Sequence, residues 1–225
     1  MMWWLSNALV AFLGLAHAIA AWVYFARTSN ERWWAWSVGW IGATVACILS
    51  TAAHPWAGYG IFVALVALWT AWWILIPASV ALEWVPENRY QATGEIEDDR
   101  LFVRHLRNFD WKGKHEFEER WEDRIYDLGR LEAVDLFLCT WGDARIAHVM
   151  ISFVFAGSPP LCFSVETRRE LGERWTPFAG FMKSYELLII AGDERDLVRS
   201  RVNIRGEEVR LYRVYTTAEM RRKIL

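Results

Sequence analysis

The hydrophobic pattern divides the chain in two. From Met1 to Leu82 the only charged residues are Arg27, Glu31 and Arg32. Met1–Ala26 is one uncharged run, long enough as a helix to cross a ~30 Å hydrocarbon core at ~1.5 Å per residue. Trp33–Leu82 is a second uncharged run of 50 residues. As a single helix it would reach ~75 Å, too long for one crossing. The break falls at His54-Pro55-Trp56-Ala57-Gly58-Tyr59-Gly60, where a proline and two glycines predict a turn. A transmembrane module over 1–85 follows, with spans at about 3–26, 33–53 and 61–82 and a kink at Pro77. Trp3, Trp4, Trp33, Trp34, Trp56 and Trp84 lie near predicted ends, where indole rings favour the interface.

Beyond it the pattern changes. Residues 86–100 carry Pro86, Gly94 and the acidic run Glu95-Ile96-Glu97-Asp98-Asp99, and are expected to be a linker. Residues 101–225 form the globular domain. Leu131–Trp141, Ile146–Phe155, Leu161–Thr167, Tyr185–Ala191 and Val209–Val214 read as strands, with a hairpin turn at Ala156-Gly157-Ser158-Pro159-Pro160. Helical pieces are expected around Phe178–Lys183 and over Glu194–Asn203, after Asp193 as N-cap. Thr216-Thr217-Ala218-Glu219 is a capping box opening a further helix. The fold class is a membrane protein with a small antiparallel α+β domain.

Charge and composition narrow the partners. The chain has a net charge of −2 and 16 tryptophans, and no basic excess calls for nucleic acid. The cysteines, Cys47, Cys139 and Cys162, form neither a CxxC motif nor a disulfide framework. His105 and His115 flank an acidic stretch without zinc-ligand spacing. No metal or cofactor is expected. His17 and His54 are read as helix-contact and turn residues rather than intramembrane ligands. Ala16-His17-Ala18 imitates a cleavage site, but no basic residue precedes it and the apolar run continues. Arg27 and Arg32 alone would put their loop, and with three spans the globular domain, in the cytoplasm.

The hairpin brings candidate chemistry together. With Phe155 paired to Leu161, Met150 faces Glu166, Ser152 faces Ser164, and His148 is diagonal to Glu166. A carboxylate beside an imidazole fixes its tautomer and supports it as a base. A strand histidine satisfied by its neighbour is the competing reading. The arginines Arg195, Arg199, Arg201, Arg205, Arg210 and Arg213 interleave with acids. They suit phospholipid headgroups or a salt-bridged surface.

Several motifs occur together and in order: NFDW (Asn108–Trp111), VDLFL with the following Trp141-Gly142, IAH (Ile146–His148), SVETRRELGE (Ser164–Glu173), YEL (Tyr185–Leu187), DERD (Asp193–Asp196) and NIRGEEVRLYR (Asn203–Arg213). In these the chain resembles the Lnb N-terminal periplasmic domain family. The resemblance implies a domain anchored in the bacterial inner membrane and facing the periplasm, with a papain-like, NlpC-type permuted fold in which histidine precedes cysteine. It implies acyl transfer to the N-terminal cysteine amine of a lipoprotein, with a phospholipid acyl donor and a thioester on a cysteine. His148 matches the family histidine, and Glu166 matches a glutamate expected to orient it. The family's nucleophile lies in an Asn-Cys-Thr-Thr segment after the LYR strand and a following helix, and this chain contains no such segment. Cys139 and Cys162 do not inherit the role and are read as sheet fillers. The expectation is a domain incomplete at its C-terminus. The alternative is a non-catalytic, membrane-tethered module that binds lipid or lipoprotein.

Overall fold

The structure is a computed structural model, and it describes residues 2–27, 33–75, 83–141, 145–173, 180, 183 and 185–225. It divides into two compact units: Met1–Leu82 with Arg174–Glu186, and Glu83–Glu173 with Leu187–Leu225.

In the first unit, helix α1 spans Met2–Arg27, α2 spans Trp33–Ala53 and α3 spans Pro55–Leu75. The predicted break at 54–60 shrinks to His54 alone. Pro55 opens α3, where its missing N–H has no intrahelical partner to lose. Gly58 and Gly60 are helical, not turn residues. Gly58 has a packing role instead: an added Cβ would come within 2.5 Å of the Thr51 backbone N. Cys47 Sγ also donates to the Gly58 carbonyl at 3.4 Å. The kink expected at Pro77 lies outside the described residues.

Among the described residues one helix, Pro55–Leu75, is long and apolar enough to cross a membrane, with mean hydropathy 1.8. Val10–Ala20 and Ser37–Thr51 are shorter apolar stretches within α1 and α2. Three spans therefore go beyond what length and composition carry. Tryptophan, glycine and serine dilute both of the first two helices, and threonine dilutes the second as well.

The second unit is an α+β fold built on an eight-stranded sheet. Its strands are β1 (Thr93–Glu97), β2 (Arg100–Arg107), β5 (Trp121–Asp127), β6 (Leu131–Thr140), β7 (Ala147–Phe155), β8 (Leu161–Arg168), β9 (Glu186–Gly192) and β10 (Glu208–Arg213). Between β2 and β5, β3 (Asp110–Trp111) and β4 (Phe117–Glu118) make a separate two-stranded ladder. The order is β1-β2-β9-β8-β7-β6-β10, with β5 also paired to β2.

The expected small antiparallel sheet is thus corrected to a larger, mixed one. β2 and β9 run parallel at Arg107↔Gly192. Gly192 permits that approach: a Cβ there would lie 2.9 Å from the Arg107 carbonyl oxygen and 2.9 Å from Leu197 Cγ.

The segment expected as a linker is folded. A 3-10 turn spans Pro86–Asn88 and β1 edges the sheet. Trp84 bridges to Glu170, with the Arg168 guanidinium 4.3 Å over its ring. Of the helix expected around Phe178–Lys183, only Gly180 and Lys183 lie within the described residues.

Two apolar clusters occupy the two faces of the β6–β8 region. Val134, Phe153 and Leu161 join Leu101, Val103 and Tyr126 on one. Phe137, Cys139, Met150 and Cys162 join Leu188, Ile190 and Leu197 on the other.

After β9 the chain forms helix α4 (Glu194–Arg199) and runs on as a π-helix over Ser200–Arg205, closed by Gly206 at φ 69°. Asp193 caps α4, accepting from Arg195 N, as the sequence predicts. The last helix, α5 (Ala218–Ile224), is capped by Thr217, which accepts from Met220 N at 3.2 Å. Thr216 is therefore not the cap, and Glu219 pairs with Lys223 at 2.6 Å instead of closing a box.

Candidate functional site

His148 stands near the start of β7. Alternation along a strand puts it on one face with Met150 and Ser152. The β7–β8 register is Met150↔Ser164, Ile151↔Phe163, Ser152↔Cys162 and Phe153↔Leu161. This is a slip of two residues from the pairing the hairpin predicted, because the connection is wider than a five-residue turn. An even slip keeps every side chain on its face. It carries Glu166 from a diagonal position to one directly opposite His148.

At the His148 end of the strand this face is the covered one. Met150 and Cys162 are fully buried, whereas Val149 and Val165 on the opposite side are 51% and 54% exposed. The odd positions of β7 are thus not uniformly core.

The polar atoms close a compact network. His148 Nε2 lies 2.7 Å from Ser164 Oγ and 3.3 Å from Glu166 Oε1. Ser164 Oγ donates to Glu166 Oε1 at 2.7 Å. With that proton committed, Ser164 Oγ accepts from Nε2–H, which assigns the proton to Nε2 by hydrogen-bond logic. Nδ1 is then the nitrogen with a free lone pair for base chemistry. Ser164 is buried with its proton engaged, so it is not an activated nucleophile.

Glu166 also accepts from Arg201 Nη2 at 2.7 Å, and Arg201 Nη1 donates to Glu207 Oε2 at 3.1 Å. Burial raises the Glu166 carboxyl. The hydrogen bond from His148, the Arg201 charge and the Ser164 hydroxyl outweigh it and hold the group well below the usual carboxylate range. Arg201 is pulled down by burial and more than restored by Glu166 and Glu207.

Sequence reasoning brought His148 and Glu166 together and missed two partners. Ser164 was matched with Ser152 instead of bridging the pair. Arg201 was grouped with the surface arginines, and nothing in its local sequence marks it as buried. Others of the group are exposed and pair with acids: Arg210 with Glu208 at 2.7 Å, Arg199 with Asp110 at 3.0 Å, and Arg213 with the buried Asp135 at 2.8 Å.

Cys139 is directly opposite His148 on β6, a juxtaposition the alternation pattern did not reveal. It is 0% exposed, and burial raises its thiol despite the opposing Arg201 charge. Burial raises Cys162 likewise, with Glu194 adding to it. A desolvated thiol is a poor thiolate, so both remain packing residues. Among the described residues no cluster of three or more metal-ligating side chains occurs.

Residues 117–225 match the family model described as the Lnb N-terminal periplasmic domain. The matched segment runs from β4 to the last residue, so it contains His148, Ser164, Glu166 and Arg201. It marks the sheet unit as a periplasmic domain of a membrane-associated bacterial protein. No curated protein and no solved structure matches the chain.

Proposed function

We propose that this is an inner-membrane protein whose periplasmic domain takes part in acyl transfer to the N-terminal cysteine amine of a lipoprotein. The observation that carries the reading is the imidazole held at Nε2 by Ser164 and Glu166. The arrangement leaves Nδ1 to take a proton from a thiol or amine and return it to a leaving group. A phospholipid is the acyl donor: in a papain-like Cys-His route a thiol other than those of the sheet attacks its ester carbonyl and releases the lysophospholipid, and the lipoprotein amine then displaces that thiol from the thioester, His148 moving the protons. Neither Cys139 nor Cys162 serves as the nucleophile, since both thiols are desolvated in the sheet. α1, α2 and α3 serve as three spans, with the N-terminus in the cytoplasm. The family's periplasmic description supports this orientation over the charge of Arg27 and Arg32.

The burial of both sheet cysteines also favours a second reading, a tethered module that binds lipid or lipoprotein without turning it over. The test is lipoprotein N-acylation read by mass spectrometry in membranes holding the protein as it occurs in its host. His148→Ala should abolish acylation, and Cys139→Ser should leave it intact. Acylation indifferent to His148→Ala would refute the catalytic reading. Lipoprotein binding without any acylation would establish the second.

A further inference from the structure

Arg201 is the least surface-like of the arginines that follow β9. Its side chain is 7% exposed, against 45% for Arg205 and 43% for Arg199. It sits in the π-helical turn Ser200–Arg205, a wide turn that helices rarely adopt and that clusters at functional sites. The residue is fixed at its carbonyl, to which Glu207 N–H and Gly206 N–H both donate. The guanidinium is clamped between Glu207 Oε2 and Glu166 Oε1. A planar guanidinium holds two carboxylates in fixed directions, which an ammonium does not.

We propose that Arg201 is a positioning residue that acts through Glu166, holding that carboxylate in place beside Nε2 as the acceptor of the Ser164 proton, so that Ser164 Oγ stays the acceptor of Nε2–H and the proton-accepting nitrogen of His148 stays Nδ1. The proposal rests on the reading of His148 as the base, and it names what sets that base. Glu166 on β8 contacts Nε2. Cys139 on β6 lies opposite as a neutral, buried thiol. Arg201 and Glu207 close the far side, with Arg205 Nη1 4.0 Å from Glu207. Take Arg201 away and Glu166 loses the strongest contact unrelated to His148. The carboxylate is then free to rotate or protonate, it no longer holds the Ser164 proton, and Ser164 Oγ is no longer fixed as the acceptor of Nε2–H.

The test uses the full-length protein in detergent micelles, with ¹⁵N-histidine and ¹³C-carboxyl glutamate labels; His148→Gln and Glu166→Gln assign the signals. Wild type should show the Nε2–H tautomer and a Glu166 carboxylate that stays ionised below the ordinary glutamate range. Arg201→Met should mix the tautomers and bring the Glu166 midpoint up into that range. Arg201→Lys should recover ionisation but not the tautomer, since it restores charge without the fork. Should Arg201→Met fail to fold, Glu207→Gln serves in its place, loosening one side of the clamp and producing the same shifts in smaller degree.

Unchanged tautomer and unchanged Glu166 titration in a folded Arg201→Met or Glu207→Gln protein would overturn the proposal. In the acylation assay, Arg201→Met should lower kcat about 10- to 100-fold with KM little changed, a scale taken from outer hydrogen-bond partners of metal-bound histidines. Spectroscopic shifts as expected, with acylation insensitive to His148→Ala, would keep the positioning role and reject acyl transfer.

Discussion

Trp111 Nε1 donates to Asp196 Oδ1 at 2.7 Å, across 85 residues of chain. The same carboxylate accepts from Phe109 N at 2.9 Å and from Arg107 Nε and Nη2 at 2.8 and 3.0 Å. Next to it, Arg195 donates to Asn108 Oδ1 at 2.6 Å and Arg199 to Asp110 at 3.0 Å. The NFDW and DERD motifs are therefore one staple. It ties α4 to the β2–β3 strands and fixes where the π-helical turn begins.

Removing that carboxylate leaves the buried Arg107 uncompensated. Asp196→Ala should cost about 3–5 kcal/mol, the scale for breaking a buried ion pair from one side. Asp196→Asn, which keeps an acceptor, should cost less. Denaturant unfolding followed by tryptophan fluorescence checks both. A loss under 1 kcal/mol for Asp196→Ala would mean the staple is not what secures α4.

Gly192→Ala places a methyl group 2.9 Å from a carbonyl oxygen and from Leu197. The backbone cannot yield without parting β2 from β9. The expected loss is about 1–3 kcal/mol, as for an overpacked core. Leu197→Ala in the same chain should return part of it by removing one of the two clashes. Thermal unfolding of the single and double variants reads the coupling.

Glu166 makes stability depend on pH with a definite sign. Its folded value is depressed, so its contribution is fully present above the unfolded carboxyl value of about 4.3. The contribution fades as pH falls below that towards the folded value. The stability gap between wild type and Glu166→Gln should accordingly be constant from about pH 7 to 5 and shrink below about pH 4. Equilibrium unfolding across that range checks it. A gap that widens on acidification has the wrong sign.

Cys139 and Cys162 are both 0% exposed, and burial raises both thiols. A membrane-permeant maleimide should leave both unmodified in the folded protein over hours and modify both once the domain is unfolded. Mass spectrometry of digested protein reports each site. Rapid modification of Cys139 in the native state would contradict the packing role.

Much of the sheet was legible because β6, β7, β8 and β9 are apolar runs between clear turn residues, and their bounds fall within a residue or two of the expectation. β2 and β5 escaped for the opposite reason. Arg100, Arg104 and Arg107 in β2, and Glu122, Asp123 and Arg124 in β5, interrupt the apolar positions that enter the core. Residue alternation placed His148 and Glu166 on one face, and the two-residue slip preserved that. The connection after Phe153 is longer than local turn residues suggest, since Val154 and Phe155 still pair with β6 but have left β8. Arg201 could not have been found in this way. Its burial depends on a widened helical turn and on Glu207, neither of which has a periodic signature.

That widened turn makes the spacing of the segment matter as much as its composition. A π turn holds about one residue more than an α turn, and each residue of an α-helix rotates the next side chain by ~100°. Deleting Val202 or Asn203 would let the rest of Ser200–Arg205 relax to α geometry with His148, Glu166, Arg201 and Glu207 all still present in the chain. Gly206 and Glu207 would then be carried out of register with Arg201, and the guanidinium would swing away from β8. A one-residue gap in a relative between its DERD and LYR motifs would thus mark a domain that has lost the grip on its glutamate, even where histidine, glutamate and arginine all remain.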